Sequence, residues 1–161
     1  MPTTIRGLVL AALAVTITTP AGAQLQRKEV SYAVAKTIAE VAIEDCKNRG
    51  YAVSAVVVDH GGNTVVSLRA DNASVHTTEN ARRKAYTAMT FKMPTEEFVK
   101  LMETNPVRRQ QTTLPNVIGI GGGVPIKIGN EVIGGIGVSG SPGVDEPCVM
   151  AGLNKVADQL K

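Results

Sequence analysis

The sequence predicts an α+β domain: an antiparallel sheet of about five strands flanked by helices. Two observations carry that prediction. Short β-branched runs are separated by the glycine turns His60-Gly61-Gly62-Asn63 and Gly129-Asn130, so strands join as hairpins and not through single helical crossovers. Amphipathic helical stripes stand before, between and after those runs. With 161 residues, 43% of them hydrophobic and 19% charged, the chain fits one small globular domain. Three tyrosines, two phenylalanines and no tryptophan leave core building to aliphatic residues and alanine, and leave no stacking platform for single-stranded nucleic acid. The 17 basic and 14 acidic residues give a net charge of +3. The basic residues are dispersed apart from Arg82-Arg83-Lys84, so no nucleic-acid partner is indicated.

Residues 1–23 are expected to be a signal peptide, and residues 24–161 the domain. Arg6 supplies a positive start, Gly7 to Ile17 is apolar, and Pro20 precedes the small-residue site Ala21-Gly22-Ala23. The apolar run is about half of the ~20 residues needed to span a bilayer, so no stable membrane anchor is expected. Cleavage after Ala23 places the mature chain in the periplasm or outside the cell.

From Gln26 to Asn48 the apolar positions Val30, Val34, Ile38, Val41, Ala42 and Cys46 recur at three- and four-residue steps, which predicts a helix stopped by Gly50. Val53 to Asp59 and Thr64 to Arg69 predict a hairpin. After the loop at Asp71 to Ser74, Thr77 is placed to cap a helix reaching Phe91, with Ala81, Ala85, Ala88 and Met89 facing inward. Pro94 interrupts, and Thr95-Glu96-Glu97 opens a short helix that ends before Pro106. Arg108 to Thr113 reads as a polar loop. Val117 to Ile120, Val124 to Ile128 and Glu131 to Ser139 read as further strands, the last two paired across Gly129-Asn130. Asp145 is placed to cap a final helix reaching Leu160, with Pro147 tolerated in its first turn.

Cys46 and Cys148 lack the C-x-x-C spacing of redox or metal chemistry. They read either as a structural disulfide, suited to an oxidising compartment, or as two small buried hydrophobes. The first and last helices can share one face of the sheet, which is expected to bring the two together. Imidazole chemistry is limited to His60 and His76. No metalloprotease, paired-cysteine zinc or calcium-loop motif occurs, and no C-x-x-C-H for covalent haem. His60 sits in a glycine turn, either solvated or as a reserve ligand. His76 flanks the Thr77 helix, where residues 76, 80, 83 and 87 form one stripe: His76, Asn80, Arg83 and Thr87. The alternative there is a helix flank with a Glu79–Arg83 ion pair. Gly119 to Gly123 reads either as an anion-binding turn or as close backbone packing in a sheet.

Several stretches together carry a family pattern: Val56-Val57-Val58-Asp59-His60-Gly61-Gly62-Asn63, Ala81-Arg82-Arg83-Lys84-Ala85-Tyr86-Thr87-Ala88, Gly121-Gly122-Gly123-Val124-Pro125-Ile126, and Gly134 to Gly140 followed by Asp145-Glu146. The sequence resembles the GlcG/HbpS-like haem-binding and haem-degrading family, related to the C-terminal domain of PduO-type corrinoid adenosyltransferases. That resemblance implies an antiparallel sheet with flanking helices, a homo-oligomer, and a tetrapyrrole ligand. The chain departs from the commoner pattern in carrying His60 after Asp59, and His76 before the Ala-Arg-Arg-Lys helix. The implied tetrapyrrole is expected to be non-covalent haem, and the chain's own residues offer His76 as axial iron ligand, Arg82 or Arg83 near the propionates, and His60 in reserve. The alternative is a small-carboxylate-binding accessory protein or enzyme of glycolate-type metabolism that uses the glycine loop and Arg83.

Overall fold

The structure, a computed structural model, describes Gly22 and residues 25–161. The expected leader and its cleavage site therefore fall almost wholly outside the described residues. The chain runs α1 (Tyr32–Asn48), β1 (Ser54–Asp59), β2 (Thr64–Arg69), α2 (Thr77–Phe91), α3 (Thr95–Thr104), α4 (Pro106–Gln110), β3 (Gly123–Ile128), β4 (Glu131–Ser139) and α5 (Asp145–Lys155). Single 3-10 turns cover Gln111–Thr113 and Ala157–Gln159. The four strands form one antiparallel sheet in the order β2-β1-β4-β3. The Val-rich β1 is central and buried on both faces, which explains its nearly unbroken apolar run.

Alternation along β1 divides the core. Ala55 and Val57 pack with Ile38, Ala42 and Val149 of α1 and α5, while Val56 and Val58 meet Ala81, Ala85 and Met89 of α2. Helix α2 sits very close to the sheet. A Cβ on Gly137 would lie 2.1 Å from the Ala81 carbonyl oxygen, one on Gly135 2.3 Å from that of Ala85, and one on Gly123 2.4 Å from that of Lys84. These glycines are therefore close-packing positions, facing the small side chains of α2. On the opposite face Cys46 and Cys148 form a fully buried disulfide between α1 and α5, with Cα atoms 5.5 Å apart.

The structure departs from the sequence expectation at several points, among them the final helix, which ends at Lys155 and not Leu160. The sheet has four strands instead of about five, because the 117–120 segment spends its hydrogen bonds on α2 and not on a ladder. The Val117 carbonyl accepts from Arg83 Nη2 at 2.6 Å, and the Ile118 N–H donates to Thr87 Oγ1 at 2.9 Å. Helix α1 starts at Tyr32 and not Gln26, since Ser31 caps it and the Val30 N–H is tied to Ile133 O at 3.2 Å. The expected polar loop at Arg108 to Thr113 is helical, started by Asn105, whose side chain accepts from the Val107 and Arg108 amides. Thr77 and Asp145 are first helical residues and not caps, because their side chains bond elsewhere. The Thr77 hydroxyl donates to Ser74 O, and Asp145 Oδ1 accepts from the Ser141 N–H and hydroxyl.

Candidate functional site

A cavity of about 650 Å³ opens where the first turns of α2 meet α3, the 120–122 loop and the 139–146 turn. That volume is within the usual range for a small-molecule or cofactor site. His76, just before α2, lines it with Asn80 and Lys84 of α2, and Glu96, Val99, Lys100 and Glu103 line it from α3. The opposite side carries Gly121, Gly122, Pro142, Asp145 and Glu146. The start of α2 is anchored to the sheet, since Thr77 Oγ1 lies 2.8 Å from Ser54 Oγ at the beginning of β1. His76 therefore stands in a fixed position on the cavity lip. It is exposed, and its side chain caps no amide of α2.

One wall contains a buried ion pair. Lys84 Nζ lies 2.7 Å from Asp145 Oδ2, with side chains only 1% and 9% exposed, and also donates to Val138 O at 2.9 Å. Asp145 Oδ1 takes two donors from Ser141 at 2.9 and 2.7 Å, and Ser141 Oγ is 3.2 Å from Cys46 Sγ of the disulfide. Both carboxylate oxygens and the ammonium thus have hydrogen-bond partners beyond a bare ion pair, the condition under which a buried ion pair is tolerable. Gly122 leaves room for it, as a Cβ there would fall 2.5 Å from Asp145 Cβ and 3.1 Å from Lys84 Nζ.

Glu146, next along α5, is in the opposite condition. Its Oε2 is the one buried side-chain oxygen or nitrogen among the described residues that has no hydrogen-bond partner. Burial raises its carboxyl above the usual carboxylate range, and the nearby Glu96 raises it further while Lys100 partly opposes. In total the lining sets Lys84 and Lys100 against Glu96, Glu103, Asp145 and Glu146.

Of the four residues singled out from the sequence, the cavity receives only His76. The expected His76–Arg83 face is not formed there, because the cavity lies on the Asn80–Lys84 side of the helix. Arg83 points instead to the 117–118 segment, where its guanidinium bonds the Val117 carbonyl. Arg82 binds both oxygens of Glu79 at 2.9 and 2.8 Å and also Asn116 Oδ1 at 2.8 Å. Its hydrogen bonds hold the Glu79 carboxyl below the ordinary range, so the helix-surface pair is Glu79–Arg82 and not Glu79–Arg83. His60 is in the turn after β1, six residues from Ser54 and so roughly 20 Å along the strand from the cavity end. Its ring Nδ1 is 3.3 Å from Arg27 Nη1, and its backbone N–H donates to Glu29 Oε2 at 2.9 Å. The sequence reading missed Lys84, Glu96, Lys100 and Glu146. A signal existed for Lys84, a charged residue three positions after Ala81 on a helix face otherwise made of alanines.

Residues 30–154 match the model of the family described as haem degrading protein HbpS-like. The chain belongs to the HbpS-like family. The crystal structure of HbpS superimposes with a TM-score of 0.80 at 32% identity, covering 87% of this chain and 99% of that one. The crystal structure of a PduOC:haem complex gives a TM-score of 0.72 at 25% identity, covering 78% and 94%. A 15.0 kDa protein from the dhaT-dhaS intergenic region of Citrobacter freundii is 33% identical over 113 residues, 69% of this chain and 80% of its own. The family assignment agrees with the α+β fold and with the resemblance read from the glycine-rich motifs.

Proposed function

We propose that this HbpS-like chain binds haem non-covalently in the cavity, with His76 as the axial ligand of the iron. The observation that carries this is the position of His76, an exposed, uncommitted imidazole on the lip of a haem-sized cavity. Val99, Ile120 and Pro142 offer apolar surface to the macrocycle, and Lys100 an ammonium to a propionate. Lys100 takes the part expected of Arg82 or Arg83, whose guanidinium groups are engaged elsewhere. When bound, haem supplies the redox chemistry of its iron; the chain holds, orients and shields it. Support also comes from the PduOC relative, crystallised as a haem complex. A visible absorption scan after haemin reconstitution tests the proposal: bound haem gives a Soret band at one equivalent, and a small-carboxylate-binding protein gives none. Bleaching of that band by peroxide tests for haem degradation.

The same proposal includes export and self-association. The leader pattern and the buried disulfide both suit an oxidising compartment outside the cytoplasm. Among the described residues no helix is long and apolar enough to cross a membrane. Intact-mass analysis of the exported protein should begin at Gln24; full-length chain in the membrane fraction would contradict cleavage. Exposed Val75, Val107 and Leu114 favour assembly with further copies of the chain. Light scattering that gives the monomer mass at micromolar concentration would exclude such assembly.

A further inference from the structure

The proposal of a haem cavity leaves Glu146 unexplained, because haem uptake as argued above uses His76, Lys100 and the apolar walls. Glu146 lines the cavity, and its Oε2 is buried without a donor. Leaving a buried polar atom unpaired is unfavourable, and leaving a charged one unpaired is worse. Two things relieve it: a proton on the carboxyl, or a partner brought by a ligand.

The charged neighbours in the cavity limit the choice. Helix α3 presents Glu96, Lys100 and Glu103, α2 and the residue before it present Lys84 and His76, and α5 itself presents Asp145. Lys84 is committed to Asp145. The 120–122 loop and the 139–143 turn contribute no titratable side chain to the lining. Lys100 is thus the cation left to serve both Glu96 and Glu146. A neutral carboxyl on Glu146 removes one negative charge and provides an O–H donor. Together with the Lys100 ammonium it makes a two-donor seat for an anion.

We propose that Glu146 meets a ligand carboxylate as a neutral carboxyl group, the two oxygens sharing one proton, with Lys100 contributing the second hydrogen bond. For haem the carboxylate is a propionate, so this inference rests on the haem reading of the cavity. Uptake of the ligand then requires the proton on Glu146. The contribution of Glu146 to affinity is flat at low pH and falls toward tenfold per pH unit once Glu146 ionises in the free protein. The hydrogen bond is of the short, charge-assisted O–H···O⁻ kind, which glutamine imitates with a weaker N–H donor that never ionises.

Haemin titrations from pH 5.5 to 8.5, followed at the Soret band on the wild type, Glu146→Gln and Glu146→Ala, test this. Ionisations of haemin and of the rest of the protein are common to all three, so the ratio of wild-type to variant Kd isolates Glu146. The ratio to Glu146→Gln is expected to rise with pH, by tenfold per unit at its steepest. Glu146→Ala is expected to bind several-fold more weakly than wild type at low pH and more tightly than wild type once Glu146 is ionised, the order reversing as pH rises. Calorimetry of the wild type and Glu146→Gln in two buffers of different ionisation enthalpy should also show up to one more proton taken up by the wild type at pH 8. A Kd ratio independent of pH, or equal proton uptake by these two proteins, overturns the role of Glu146 and leaves haem binding standing. Failure of all three proteins to bind haemin at any pH overturns both.

Discussion

Replacing Asp145 by asparagine removes a charge and almost no volume, and so isolates what the buried ion pair contributes. At 2.7 Å from Lys84 Nζ, an effective dielectric of ~20 gives a gross attraction of about 6 kcal/mol. Part of that is offset by desolvation of both ions, and breaking such a pair typically costs ~3–5 kcal/mol because the remaining charge is left buried. Asp145→Asn keeps an acceptor for Ser141 but leaves the Lys84 ammonium, 1% exposed, opposite a neutral amide. We expect a loss of ~3–5 kcal/mol in urea unfolding with the disulfide intact, and a Tm lower by roughly 10–20 °C. Lys84→Met should be destabilising as well. The double variant Lys84→Met/Asp145→Asn should recover at least ~2 kcal/mol relative to additivity, since no uncompensated charge remains. A coupling below ~0.5 kcal/mol, the size of an exposed pair, would show that water reaches the pair and would refute the reasoning.

Gly137→Ala forces a methyl to within 2.1 Å of the Ala81 carbonyl oxygen; α2 must lift from the sheet, and unfolding experiments should show ~2–4 kcal/mol lost. Gly129→Ala meets nothing within 4 Å and carries only the strain of a φ of +58°, so it should cost less than Gly137→Ala. Converting both Cys46 and Cys148 to alanine opens a loop with a sequence separation of 102 and should lower stability by ~3–5 kcal/mol. Thiol labelling of the unreduced, unfolded wild type should find no free sulfhydryl. Glu146 has a raised carboxyl pKa in the folded chain, so between the ordinary carboxylate value and that raised one the folded state holds more protons than the unfolded state. Ligand-free stability should therefore fall as pH rises through that window, and Glu146→Gln should abolish the fall. Parallel stability–pH curves for the two proteins would contradict this.

Local patterns carried most of the fold into view. The Val-rich run of β1 with its glycine turn, and the alanine stripe of α2 between Thr77 and Phe91, report their own periodicity, and both elements lie where expected. Val117 to Ile120 has the composition of a strand, but strand formation needs a partner edge, and here Arg83 and Thr87 take up the backbone groups first. That competition is tertiary and leaves no trace in local composition. His76 was visible as one of two imidazoles placed at a helix start. The acidic and basic lining was not, because Lys84, Glu96, Lys100 and Glu146 come from three helices brought together only by folding. Asp145 looked like a helix cap until its carboxylate proved to be shared between Ser141 and Lys84.

Haemin titration of the wild type beside His76→Ala and His60→Ala tests the central claim most directly. The wild type should give a Soret band that saturates at one haem per chain. His76→Ala should move the band maximum and weaken binding by at least about tenfold, equivalent to ~1.4 kcal/mol, while His60→Ala, altered at the far end of β1, should bind within about twofold of wild type. An unchanged spectrum and affinity in His76→Ala would contradict the cavity as the haem site, and no haemin binding by the wild type would contradict haem as the ligand.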